Sequence, residues 1–115
     1  MRLRAASPML VAACAVGCEL PITPPGTDAW VGRWNGPEGT YLDIAGANGV
    51  YEVTVKDLDA ARTFDGVTAG DRIEFVRDGV HESIRPTNGE QTGMKWLADK
   101  TKCLTVKLGE GYCRD

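Results

Sequence analysis

Asn48-Gly49 lies between two runs that alternate apolar with polar residues, and nothing else in the chain constrains its fold as tightly. Asn-Gly is the preferred dipeptide of a type I′ turn, whose backbone twist matches that of the strands it joins. A hairpin centred there pairs Ala47 with Val50, Ile44 with Val53 and Leu42 with Val55. The same register sets Asp43 opposite Thr54 and Tyr41 opposite Lys56. One face is apolar and the other polar. A slip of one residue would exchange the two faces, so the pattern fixes the register as well as the turn.

The same logic extends along the chain. Asp78-Gly79 predicts a second hairpin, with Ile73 opposite Ile84, Glu74 opposite Ser83 and Phe75 opposite Glu82. The last pair sets a carboxylate on an apolar face, which suits a barrel mouth or a bulge. Between these hairpins Ala61 to Val67 reads as a strand with Phe64 inward, and Ala69-Gly70-Asp71 as the next turn. After Pro86 the period changes. Asn88-Gly89-Glu90-Gln91 has the spacing of a capping box, and Met94, Leu97 and Ala98 recur at helical separations. One short helix is therefore expected within Glu90 to Lys100. Cys103 to Leu108 alternates again, and a hairpin symmetric about Leu108 would bring Cys103 opposite Cys113. Seven or eight short strands over residues 29–115 make a sandwich or a closed barrel; the fold expected is all-β, a small antiparallel meander barrel with that helix near the C-terminus. Closure would remove the edge strands that invite aggregation. Gly32-Arg33-Trp34 resembles the Gly-x-Trp of lipocalins and avidins, and the resemblance implies a Trp34 that plugs one end of the barrel.

The N-terminus has a different character. Two arginines, Arg2 and Arg4, precede an apolar run from Ala5 to Gly17, in the order of a secretory signal. The run is too short for a spanning helix, which needs roughly 20 residues. Ala15-Val16-Gly17-Cys18 resembles the lipobox of bacterial lipoproteins. The resemblance implies a signal peptide over 1–17, removed by cleavage before Cys18, and a diacylglycerol thioether with further acylation, palmitate among the chains, on Cys18. Val11-Ala12-Ala13-Cys14 fits the same box but leaves a very short apolar run. Residues 18–28, with Pro21, Pro24 and Pro25, then read as a lipidated cysteine and an extended tether. Glu19 follows the cysteine in place of the aspartate that retains enteric lipoproteins in the inner membrane. By that resemblance the expected address is the inner leaflet of the outer membrane, facing the periplasm.

Once Cys14 leaves with the signal and Cys18 takes the lipid, Cys103 and Cys113 remain. An even pair in an exported chain reads as a disulfide. Free thiols and a metal pair are the alternatives, and zinc would want four N/S ligands where His81 is the single histidine. Loss of Arg2 and Arg4 lowers 13 basic residues to 11 against 16 acidic ones, a net charge near −5. No basic cluster suggests nucleic acid; the balance favours basic partners.

Little in the chain reads as catalysis. His81 and Ser83 share one strand face with Glu74 opposite, whereas a Ser-His-acid triad draws its members from different elements. Asp57 and Asp59 have turn character rather than the spacing of a calcium loop. No cofactor is expected, no metal site, and no enzyme. The segment Thr92-Gly93-Met94-Lys95-Trp96-Leu97-Ala98-Asp99-Lys100, with Gly109 to Arg114, is similar to the C-terminal part of a group of small proteobacterial lipoproteins; the resemblance carries no activity with it. Trp96 beside Lys95 is a candidate recognition patch for an envelope protein or glycan. Thr92-Gly93-Met94-Lys95-Trp96 also resembles the Ser-Gly-x-Lys/Arg-Tyr loop of membrane-bound lysozyme inhibitors. That resemblance implies Thr92, Lys95 and Trp96 as partner-binding residues against a c-type lysozyme. It departs from the family in having Thr for Ser, Trp for Tyr and no early cysteine partner.

Overall fold

The computed structural model describes residues 23–115. Eight antiparallel strands follow one another in chain order and close into a barrel. They are β1 (Gly32–Asn35), β2 (Tyr41–Ala47), β3 (Val50–Lys56), β4 (Ala61–Ala69), β5 (Arg72–Arg77), β6 (Val80–Thr87), β7 (Cys103–Lys107) and β8 (Glu110–Cys113). Both hairpins have the registers that the alternation predicts, from Tyr41↔Lys56 to Ala47↔Val50 and from Ile73↔Ile84 to Phe75↔Glu82. Asn48 and Gly49 have φ of 56° and 82°, as a type I′ turn requires.

The interior is filled rather than hollow. Leu42, Val53, Ile73, Ile84 and Leu104 have no exposed surface. Each contributes about 1.5–3 kcal/mol of apolar burial. Phe64 is partly buried against this core, its ring 5.5 Å from that of Phe75.

The two ends of the barrel differ. At the base, where the chain comes in, the single turn Gly26–Trp30 packs beneath the Asn48-Gly49 hairpin. Thr27 is buried there and Asp28 is fully engaged, so the tether expected over 18–28 gives up its last residues to the barrel. Trp34 is buried at this end too. Its Nε1 donates to the Trp30 carbonyl at 2.8 Å, and the Arg114 guanidinium lies 3.9 Å over its ring. At the opposite end, the mouth, lie the connections 36–40 and 57–60 and the tight turns 78–79 and 108–109.

Residues 88–102 form a strap over the outside of β7 and β8. Alternation splits these strands between two clusters: Leu104, Val106 and Tyr112 face the core, while Cys103 and Cys113 face outward beneath Leu97 and Met94. The two cysteines are directly opposed and disulfide-bonded. The hairpin is not symmetric about Leu108, however. Lys107 pairs with Glu110 across a Leu108-Gly109 turn, and the extra residue is taken up as an irregularity at Val106.

The single helix expected within Glu90 to Lys100 does not form. Two one-turn segments, Glu90–Thr92 and Lys95–Leu97, take its place, broken at Gly93 with φ of 73°. The capping box does close: Asn88 N donates to Gln91 Oε1 at 3.0 Å, and Gln91 N to Asn88 Oδ1 at 2.8 Å. Helix growth then stops because the Thr92 carbonyl is taken by Gly109 N at 2.7 Å. A short helix has little cooperative energy to set against such a tertiary anchor.

Candidate functional site

Glu82 is the residue that does not fit the apolar face, and the mouth is built around it. The β4–β5 ladder ends at Gly66↔Phe75 and the β6–β7 ladder begins at Arg85↔Thr105. Among the described residues, the ribbon from Val76 to Ser83 therefore has no strand neighbour on either flank. Side chains close the wall instead. Arg77 points inward between two carboxylates: Nε and Nη2 donate to Glu82 Oε2 at 3.0 and 2.7 Å. Nη1 and Nη2 also donate to Glu110 Oε2 and Oε1 at 2.9 and 2.7 Å. The Tyr112 hydroxyl donates to Glu110 Oε2 at 2.8 Å. Outside this group Arg62 forms a two-bond fork with Asp78 at 2.9 and 3.1 Å.

The side chains of Arg77, Glu82 and Glu110 are only 12%, 10% and 17% exposed, so their charges act through a partly dry medium. Burial alone would raise the Glu110 carboxyl. The hydrogen bonds from Arg77 and Tyr112, with the charge of Arg77, outweigh it and hold Glu110 below its ordinary value. The Glu110 hydrogen bond, with that of Glu82, pushes Arg77 up against burial. Burial and the adjacent Glu110 charge push the Tyr112 phenol well up, so it remains a donor. Arg77 and Tyr112 thus converge on Glu110, and Glu82 holds Arg77 from the other side, an arrangement that fixes the shape and charge of the mouth.

Above the cluster opens a cavity of about 500 Å³. Its walls combine Arg77, Glu110 and Tyr112 with Asp57, Lys107 and Glu38, and with apolar Val55, Leu58, Met94 and Leu108. Leu58 and Leu108 stand on two mouth connections and are 66% and 81% exposed.

Among the residues singled out from the sequence, Asp57 lines this cavity, whereas Thr92, Lys95, Trp96 and His81 do not. Thr92 is fully buried under the strap: its Oγ1 donates to the Gly89 carbonyl at 2.6 Å and accepts from Met94 N at 3.0 Å. Its methyl group packs on Gly111, where a Cβ would come within 2.5 Å. Thr92 therefore cannot meet a partner together with Lys95 and Trp96, which are exposed, Trp96 to 73%. His81 is exposed on the outer wall, where it shares a shallow depression with Glu74 and Asp65. Asp57 is a turn residue, its Oδ1 accepting from Asp59 N and Ala60 N at 2.8 Å each. Cys18 lies outside the described residues. The mouth cluster had one sequence signal, Glu82 opposite Phe75; the parts played by Arg77 and Glu110 had none. No family model matches the chain, and no curated protein or solved structure matches it either.

Proposed function

We propose that this chain is a lipid-anchored envelope protein whose barrel is a non-catalytic binding module. In this reading the chain is cut before Cys18, acylated there and held at the inner leaflet of the outer membrane, with the barrel in the periplasm. The observation that supports it is the polarity of the barrel. The chain reaches the barrel at the base, which Gly26–Trp30 and Trp34 close, while the cavity opens at the opposite end. An anchor attached at the base turns the mouth away from the lipid and toward a partner. The filled interior leaves the mouth and its rim as the recognition surface.

Intact mass of the chain recovered from membranes tests the anchor; an unmodified N-terminus at a residue other than Cys18 overturns it. A photo-cross-linker at Leu108 should capture an envelope component, and one at Val50, exposed at the base, should not. Equal capture from both positions overturns the mouth as the binding surface.

A second contact surface is favoured by the exposure of Trp96 beside Lys95 on the strap. Inhibition of a c-type lysozyme through this patch would rest on Lys95 and Trp96, without Thr92. Cell-wall lysis with the purified domain added decides it: inhibition lost in Lys95→Ala supports the patch, and no inhibition at micromolar excess removes it.

A further inference from the structure

We propose that the mouth binds an organic cation, an ammonium or guanidinium group carried on an apolar arm. The proposal rests on the reading of the barrel as a binding module and names the ligand chemistry of its mouth.

Both guanidiniums at the mouth are already paired. Arg62 is forked on Asp78, and Arg77 is held by two carboxylates at once. Arg77 and Glu110 line the cavity, and one guanidinium shared between Glu110 and the Glu82 carboxylate behind it leaves a surplus negative charge at and beneath the floor. Asp57 and Glu38 add to it from the walls, offset in part by Lys107 and, beside Asp57, by Lys56 and the paired Arg62. The backbone N–H groups of Ala60 and Asp59 hold the Asp57 carboxyl below its ordinary value, which keeps it charged. An arriving anion would find guanidiniums whose hydrogens are largely taken, whereas a cation finds carboxylate charge not yet neutralised. At the floor, where side chains are 10–17% exposed, that charge is poorly screened by salt.

The rim supplies the second half of the chemistry. Leu58 and Leu108 project from two mouth connections with most of their surface in water, and Val55 and Met94 add apolar lining. Burying such leucines against an alkyl arm is favourable. The cavity, about 500 Å³, falls in the size range of small-molecule sites and has room for the arm with the charged group beneath it.

Amide chemical shifts of the full domain, titrated with n-octylammonium, octanoate and n-octanol, test the assignment. Octylammonium should shift Leu58, Leu108 and Glu110 saturably and bind about tenfold or more tightly than the other two, the usual value of a charge-assisted bond. Glu110→Gln should remove that preference. Should Glu110→Gln fail to fold, Leu108→Ser, on an exposed turn, should weaken octylammonium several-fold with the fold intact. A tetralysine peptide binding more tightly than octylammonium identifies the cation as a partner's side chain; the reverse order identifies a free amine. Octanoate or octanol binding at the mouth as well as octylammonium overturns the cation assignment and leaves the mouth a binding site. No shift at the mouth with any ligand overturns both, while the lipid anchor stands or falls on its own mass measurement.

Discussion

The Tyr51 hydroxyl donates to Asp28 Oδ1 at 2.5 Å, which ties β3 to the turn through which the chain reaches the barrel. The same carboxylate accepts from Asn48 N at 2.9 Å and Gly49 N at 3.1 Å. Asp28 therefore caps the hairpin turn on which the whole register depends. Tyr51→Phe should cost about 1–2 kcal/mol, since it removes a hydrogen bond to a charged group. In a domain of this size that is roughly 4–16 °C in thermal midpoint, readable by calorimetry. An unchanged midpoint would show that the base closes without this bond.

Arg77 clasps a ribbon that lacks ladder partners, so its loss should be severe. Arg77→Ala leaves two carboxylates facing each other in a poorly hydrated site and should cost about 3–5 kcal/mol in urea unfolding. Replacing all three members, with Arg77→Met, Glu82→Leu and Glu110→Leu, should recover most of that loss. A triple variant as unstable as Arg77→Ala would mean that the ribbon needs the ionic clasp itself.

The Cys103–Cys113 disulfide closes a loop of sequence separation 10 across directly opposed residues. The chain-entropy model gives about 3 kcal/mol for a loop of that length. Cys103→Ser with Cys113→Ser should therefore lower the unfolding midpoint by at least about 10 °C. The same loss should follow reduction of the wild-type chain.

Stability should hold a plateau between an acid and an alkaline limb. The carboxyls of Asp28, Asp57, Asp78, Glu110 and Asp115 all lie below their ordinary values in the folded chain. Their stabilisation is complete above the ordinary values of 3.8 and 4.5 and is lost as pH falls through the folded ones. Tyr51 and Tyr112 are raised, chiefly by burial, so their contribution is complete below 10.0 and is lost as pH climbs beyond it. Denaturant midpoints measured from pH 2 to 12 check both limbs, and Tyr112→Phe should shallow the alkaline one.

On the strap, Gly93→Ala should cost about 1–2 kcal/mol, because its φ of 73° disfavours a side chain. A Cβ there would also lie 2.4 Å from Leu108 Cδ1. Trp96→Ala should change stability by no more than about 0.5 kcal/mol, as an exposed position does. Trp96 emission should be quenched by acrylamide far more readily than that of buried Trp34.

The amino-acid order alone determined the local pairings. Asn48-Gly49 and Asp78-Gly79 each specify a turn, and period-2 alternation on either side admits one register, so Leu42↔Val55 and Ile73↔Ile84 could be read directly. Cys103 opposite Cys113 followed from the same arithmetic even though the hairpin carries an irregularity at Val106. Tertiary structure decided whatever depended on residues distant in the chain. The helical spacing of Met94, Leu97 and Ala98 was overruled by Gly109, which takes the Thr92 carbonyl and ends the helix after one turn. Thr92 looked available in the sequence and is buried by Gly111, nineteen residues on. Arg77 and Glu110 are 33 residues apart and meet only because the barrel closes at its mouth. Turns and alternation are written into neighbouring residues. A charge cluster inside a closed sheet exists only once the ends of the sheet have met, so the local pattern marked Glu82, opposite Phe75, and neither Arg77 nor Glu110.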